Sequence, residues 1–158
     1  KLDIADQHVL PNMKIGFHAH NNRQLAYSNA LAFLEYNTKH DIMLDSSIMG
    51  MGKGAGNLCT ELIASSLNQK GKDYKISCLY KSISEYFSDV IKEHPWGYSL
   101  DYYLSSLYCC TPSYIKIFMR DERVTTDILI DLLRTIPEEN RAACNREFAI
   151  SHLEAYFK

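Results

Sequence analysis

Lys14-Ile15-Gly16-Phe17-His18-Ala19-His20 opens the stretch whose reading decides the fold, and Gly50-Met51-Gly52-Lys53-Gly54-Ala55-Gly56-Asn57 closes it. The first run is short and apolar up to its histidines, and it reads as a β-strand over 14–20. From Asn22 the period changes. Leu25, Asn29, Ala32, Phe33 and Tyr36 recur at helical spacing, with Ala26 and Ala30 favouring a helix between them. Ile42-Met43-Leu44-Asp45-Ser46-Ser47 reads as a second strand, nearly continuous in its apolar part, as buried parallel strands are. The glycine loop follows, then a helix through Asn68 that carries Leu58, Leu62, Ile63 and Leu67. Strand, helix, strand, loop, helix is a βαβα unit, so the class is α/β. Two strands do not make a stable sheet core, and parallel strands need neighbours on each side. The first 70 residues therefore read as the end of a larger α/β domain.

Composition changes near residue 72. Beyond it the chain is tyrosine-rich, reads as helices only, and has Gly97 as its one glycine. This predicts two domains, 1–72 and 73–158. Ile76, Leu79, Ile83, Tyr86, Phe87, Val90 and Ile91 keep helical spacing until Pro95 and Gly97 end the run. Ser99 can cap a helix carrying Tyr103, Leu104 and Leu107, and Thr111-Pro112 can open a short one through Met119. Thr125 or Thr126 starts another with Ile128, Leu129, Leu132 and Leu133, and Pro137-Glu138-Glu139 opens the last.

The composition narrows the function classes. With 158 residues, 46% hydrophobic and 23% charged, the chain is that of a soluble globular protein. A net charge of -2 argues against a nucleic-acid partner, and no run approaches the roughly 18 apolar residues of a membrane span. The opening residues have no signal-peptide core, and a start at Lys1 reads as a cut from something longer. The five cysteines, Cys59, Cys78, Cys109, Cys110 and Cys144, include no C-x-x-C pair. Structural zinc and dithiol redox chemistry are both disfavoured, and the expectation is reduced, mostly buried thiols in a cytoplasmic protein.

His18-Ala19-His20 is the sharpest chemical feature. Residues i and i+2 of a strand share a face, so the two imidazoles can hold one metal, completed by a carboxylate. The other reading is one histidine packed inside and hydrogen-bonded to a carbonyl. Gly50, Gly52, Gly54 and Gly56 allow close approach of backbone to a ligand, or serve a tight turn. The loop fits neither the P-loop nor the dinucleotide fingerprint. Asn57 sits where a helix should start, and with Glu61 a turn later it can be an N-cap. His8, His40, His94 and His152 have no partners at metal spacing and read as structural or solvated, with His40 at a helix end. No catalytic acid or base stands out.

Taken together, Gly16–Asn22, Leu25-Ala26, Ser28-Asn29-Ala30 and Asp45–Glu61 closely resemble the last two βα units of the DRE-TIM metallolyases. These include 4-hydroxy-2-oxovalerate aldolase, 3-hydroxy-3-methylglutaryl-CoA lyase and the isopropylmalate, homocitrate and citramalate synthases. The resemblance covers residues 13–70. It implies the last two βα units of a (β/α)8 TIM barrel, followed here by an all-helical C-terminal domain. A whole barrel takes about 250 residues, so the missing N-terminal barrel half becomes a partner. By resemblance His18 and His20 are metal ligands, and Asn57 is a further one as in the lyase branch. Gly52 and Gly54 fall in the substrate-binding loop. The implied cofactor is Mn2+ or Mg2+, with Zn2+ as a third candidate, and the implied substrate is a small 2-oxo acid whose C–C bond breaks to leave a pyruvate enolate. The family's first-strand Asp ligand and its neighbouring Arg lie outside this match. Arg120-Asp121 looks like that pair but falls in a helical region, so the role is not carried over. Asn22 stands where synthases usually have Asp, and Gln24 replaces a common Gly. The loop lacks the lyase cysteine, and Cys59 does not match it. The Ala55-Gly56-Asn57 ending and the helical tail are closest to the 4-hydroxy-2-oxovalerate aldolase branch, where the tail can dock a dehydrogenase. A homo-oligomer is also implied. The alternatives are a Claisen-type acyl-CoA synthase and a non-catalytic docking or assembly fragment.

Overall fold

The computed structural model describes residues 2–158. The chain is mixed α/β and divides into two compact units, at Gly97 and Tyr98.

The first unit opens with α1 (Leu2–His8), which the sequence reading did not assign. Tyr36 donates to Asp3 at 3.0 Å, and Thr38 donates to Asp6, so this turn is tied down by side chains more than thirty positions away. β1 (Ile15–Phe17), α2 (Ala26–Leu34) and β2 (Ile42–Leu44) form the βαβ core. The strands pair in parallel, Ile15 with Ile42 and Phe17 with Leu44. Both are shorter than the predicted 14–20 and 42–47, because the backbone after Phe17 and Leu44 leaves the ladder to build the site. Ala26, Ala30 and Phe33 form the buried stripe of α2, and Phe33 stacks on Phe17 of β1 with ring centroids 5.2 Å apart. A short 3-10 turn (Ile48–Gly50) precedes the glycine loop, and α3 (Thr60–Gln69) follows it. Leu58, Ile63, Ala19, Ala26 and Ala30 make this unit's main buried cluster.

The run after residue 72 is helical as expected, in three pieces: α4 (Ile76–Ser82), a π-turn (Ile83–Phe87) and α5 (Ser88–Glu93). The compositional break at residue 72 and the edge of the compact unit do not coincide. Residues 73–97 stay with the first unit because α4 packs on α3 and because Trp96 and Gly97 bond to the glycine loop.

The second unit comprises α6 (Leu100–Leu107), α7 (Ser113–Phe118), α8 (Thr126–Thr135), the single turn α9 (Glu138–Arg141) and α10 (Arg146–Tyr156). Ser99 caps α6 by accepting from the Tyr102 amide, and Thr125 caps α8 by accepting from that of Ile128. Two expectations need correction. Thr111 is not a cap: Pro112 precedes α7, and the Thr111 amide donates to the Arg141 carbonyl at 2.8 Å. The helix opened by Pro137 lasts one turn, and the last long helix starts anew at Asn145, whose side chain accepts from the amides of Glu147 and Phe148 at 2.9 and 3.2 Å. Tyr114, Phe118, Leu129, Leu132, Leu133, Ile136 and Ala149 form a buried core between these helices.

The cysteines are unpaired, but "mostly buried" holds fully only for Cys110. Cys78 and Cys109 are exposed, and Cys59 and Cys144 lie between. His40 is not at a helix end, since α2 stops at Leu34. It is buried, with Nδ1 3.1 Å from the Met13 carbonyl. Among the described residues no helix is long and apolar enough to cross a membrane.

Candidate functional site

The chemistry gathers where β1 and β2 end. Ala19 points into the core and leaves His18 and His20 exposed on either side of it, with their rings edge to face at 4.9 Å between centroids. The strand alternation thus persists past the last ladder bond and sets two imidazoles side by side.

The parallel register that pairs Phe17 with Leu44 also sets His18 next to Asp45. His18 Nδ1 lies 3.2 Å from Asp45 Oδ2. With Nδ1–H donated to that carboxylate, the lone pair of Nε2 is left for another partner. A carboxylate behind a metal-binding imidazole commonly fixes the tautomer in this way. The sequence reading did not single out Asp45. The available signal was its place as the first polar residue after the apolar run of β2.

Asn57 reaches the same place through its backbone. His20 and Asn57 form an isolated antiparallel bridge, and the Asn21 amide donates to the Gly56 carbonyl at 2.9 Å. His18, Asp45, Ser46 and Asn57 line one cavity of about 420 Å3 with Leu44. The N-cap reading of Asn57 is not met. α3 begins at Thr60 behind Cys59, and the Asn57 carboxamide donates instead to the Met51 carbonyl at 3.2 Å. Glu61 does not complete a capping box with it, but accepts from the Met49 amide at 3.0 Å. Asn57 Oδ1 is buried with no hydrogen-bond partner. An acceptor left so costs on the order of 1–3 kcal/mol unless a donor or cation meets it.

The glycines make this loop possible. Gly50 and Gly56 have φ of 63° and 76°, the left-handed region that glycine enters freely. A Cβ on Gly56 would strike the Gly50 carbonyl oxygen, and one on Gly52 would stand 2.5 Å from the Asn57 carboxamide nitrogen. Neither Gly52 nor Gly54 lines the cavity. Gly52 lies against the Asn57 side chain, and Gly54 accepts from the Gly97 amide at 3.0 Å. Gln24, at the position where the family commonly has glycine, takes φ of 58°. The site thus keeps a glycine-like backbone without the glycine.

Trp96 is a second residue that sequence spacing missed. Its indole N–H donates to the Met49 carbonyl at 2.8 Å. Cys59, beside the loop, is no thiolate: burial pushes its thiol up, and the nearby Glu61 carboxylate adds to the shift. Arg120-Asp121 belongs to the second unit, and the carboxylate there is engaged by Arg123 at 2.7 Å.

The donor set suits a divalent cation: two adjacent imidazoles, and a buried carboxamide oxygen lacking a donor. Among the described residues no three His, Cys, Asp or Glu side chains group closely enough to hold a metal. This chain's own candidate ligands are therefore His18, His20 and Asn57.

The chain is similar to known proteins in sequence and in fold. A 4-hydroxy-2-oxovalerate aldolase of Geobacillus genomosp. 3 is 37% identical over 93 residues, which are 58% of this chain and 26% of the relative. One of Thermomicrobium roseum is 45% identical over 60 residues, 38% of this chain and 16% of the relative. The crystallised N-terminal domain of a Bacteroides vulgatus protein provisionally assigned as an aldolase superposes with a TM-score of 0.65 at 28% identity, over 76% of this chain and 38% of its own. The chain thus spans about a quarter or less of the length of these curated relatives. The HMGL-like family matches residues 2–86, more than half of the chain, and the chain belongs to that family, the DRE-TIM metallolyases its motifs resemble.

Proposed function

We propose that this chain carries the late metal-ligand cluster of a divalent-metal-dependent aldolase of the 4-hydroxy-2-oxovalerate type. In this reading residues 1–72 are the last two βα units of a (β/α)8 barrel, residues 73–158 are the helical tail, and the earlier strands pair at the free edges of β1 and β2. The observation that carries the proposal is the edge-to-face pair of His18 and His20 just past β1, with Asn57 bridged to His20 through its backbone, lining a cavity with His18 and keeping an unsatisfied Oδ1. Active residues of barrel enzymes sit at that end.

His18, held by Asp45 through Nδ1, and His20 would hold a cation through ring nitrogens, with Asn57 through Oδ1. A divalent cation, Mn2+ or Mg2+, would supply Lewis-acid stabilisation of the charge that develops on the 2-oxo acid as its C–C bond breaks. Gly52 and Gly54 belong to the substrate-binding loop by likeness to the family, and the missing Cβ of Gly52 makes room for the Asn57 carboxamide. The reading gives Cys59 no role, since it does not match the lyase loop cysteine. A docked dehydrogenase, a homo-oligomer and a cytoplasmic location complete the proposal by likeness to the aldolase branch.

The test is pyruvate release from a 4-hydroxy-2-oxo acid, by a protein carrying this chain with a complete barrel. Release that needs Mn2+, His18 and His20, and survives thiol alkylation, is expected. Metal-independent release, or full loss on alkylation that replacing one cysteine reverses, would overturn the reading.

A further inference from the structure

The segment Pro95-Trp96-Gly97 crosses the glycine loop as a strap. It holds the loop at three points. The Trp96 indole N–H donates to the Met49 carbonyl at 2.8 Å, and the Gly97 amide donates to the Gly54 carbonyl at 3.0 Å. The third is a close approach: the indole edge lies at Gly56, where an added Cβ would be 3.3 Å from Cδ1.

These anchors lie just ahead of Asn57. Met49 precedes the loop and Gly56 adjoins Asn57, whose amide donates to the Gly50 carbonyl at 2.8 Å. The Asn57 carboxamide donates to the Met51 carbonyl. Met49 itself has φ of 52°, a left-handed conformation in a residue with a side chain, and such a residue persists only where its surroundings over-determine it. Its amide is taken by Glu61 and its carbonyl by Trp96, so both sides of that residue are fixed. Without the indole, the turn would lose the bond that holds Met49 from the far side of the loop.

We propose that Trp96 is a positioning residue for Asn57. It fixes the loop so that Asn57 Oδ1 is held ready for the cation instead of turning to an internal donor. This rests on the reading of Asn57 as a metal ligand. Trp96 touches neither cation nor substrate, and its effect passes through the loop backbone.

The test is a double-mutant cycle on Mn2+ affinity, read as free Mn2+ by electron paramagnetic resonance. The proteins each carry this chain with a complete barrel, as wild type, Trp96→Phe, Asn57→Ala and the double variant. Trp96→Phe keeps an aromatic ring and removes the N–H, and circular dichroism confirms that each variant is folded. The loss of one positioning hydrogen bond predicts Mn2+ binding about three- to tenfold weaker in Trp96→Phe. In the Asn57→Ala background the same change should have no further effect. Amide exchange over 50–57 should be faster in Trp96→Phe, with α10 unchanged. Wild-type Mn2+ affinity in Trp96→Phe, a fully additive loss in the double variant, or unchanged exchange over 50–57 would each overturn the positioning role alone. Unchanged affinity in Asn57→Ala, or no Mn2+ uptake by the wild-type complete-barrel protein, would overturn the reading of Asn57 and this role with it.

Discussion

The two units are held together by different means. In the second, large side chains do the work. Tyr114, Phe118, Leu129, Leu132 and Leu133 are fully buried among helices that satisfy their own backbone, and Tyr114 still finds the Asn140 carbonyl for its hydroxyl at 2.8 Å. The first unit is longer, yet three of the five members of its main buried cluster are alanines. Its site end is kept in shape by backbone bonds: Asn21 to Gly56, Asn57 to Gly50, Gly97 to Gly54, and the indole of Trp96 to Met49. A packed core tolerates changes on its surface and resists lost volume. A loop built from carbonyl-to-amide bonds and left-handed residues resists an added Cβ. The region that holds the candidate site is the one with less side-chain packing, and glycine geometry stands in for it.

This contrast can be broken by substitution. Leu132→Ala should cost about 2–5 kcal/mol of the second unit's stability, followed by urea unfolding, because a fully buried leucine leaves a cavity among fixed neighbours. A loss below about 1 kcal/mol would mean that core can collapse and is not packing-limited. Gly56→Ala changes a single methyl group, yet should cost the first unit more than about 1 kcal/mol. Its φ is left-handed and its Cβ would meet the Gly50 carbonyl. If Gly56→Ala melts with wild type, the loop is looser than described.

Gln24→Gly sharpens the point in the opposite direction. A glutamine at φ of 58° is strained, so glycine there should raise stability by about 0.5–1 kcal/mol despite its entropy cost in the unfolded chain. The thermal midpoint is the measurement, and a lower one would show that the Gln24 side chain contributes contacts that outweigh the strain.

The smallest effect belongs to the second unit's surface. Arg123 bonds the Asp121 carboxylate through its guanidinium and its amide and lowers it to about 2. A depressed carboxyl contributes stability that is present above its unfolded value near 4 and is lost as pH falls toward 2. Arg123 is solvent-exposed and Asp121 only half-buried, so Arg123→Ala should flatten acid unfolding between those values only slightly. An identical acid profile in wild type and Arg123→Ala would remove the pair from the account.

Much of the site was legible because its signals are local. The period change after His20, the continuous Ile42–Leu44 run and the alternate glycines each lie within a few residues, and they placed the βαβα unit and the family. The i, i+2 spacing put His18 and His20 on one face even though the ladder ends at Phe17. What was not legible depends on residues far apart in sequence. Asp45 meets His18 only through the register of two strands, and Trp96 reaches Met49 from beyond α5. Asn57 could be read as a cap as well as, by resemblance, a ligand, because Glu61 follows a turn later, yet both side chains turn back to the loop backbone. α10 was missed because Asn145 caps it immediately after a turn whose proline and acids had announced a longer helix.

The central claim is that His18, His20 and Asn57 act together on one cation. Its most direct test is a Mn2+ titration of a protein carrying this chain with a complete barrel, beside its His18→Ala and His20→Ala variants, with Mg2+ as competitor. The account predicts one saturable Mn2+ site in the wild type, displaced by Mg2+ and weakened at least about tenfold by either substitution. A His20→Ala variant that binds Mn2+ as tightly as wild type would contradict it, because the two imidazoles would then be neighbours without being co-ligands.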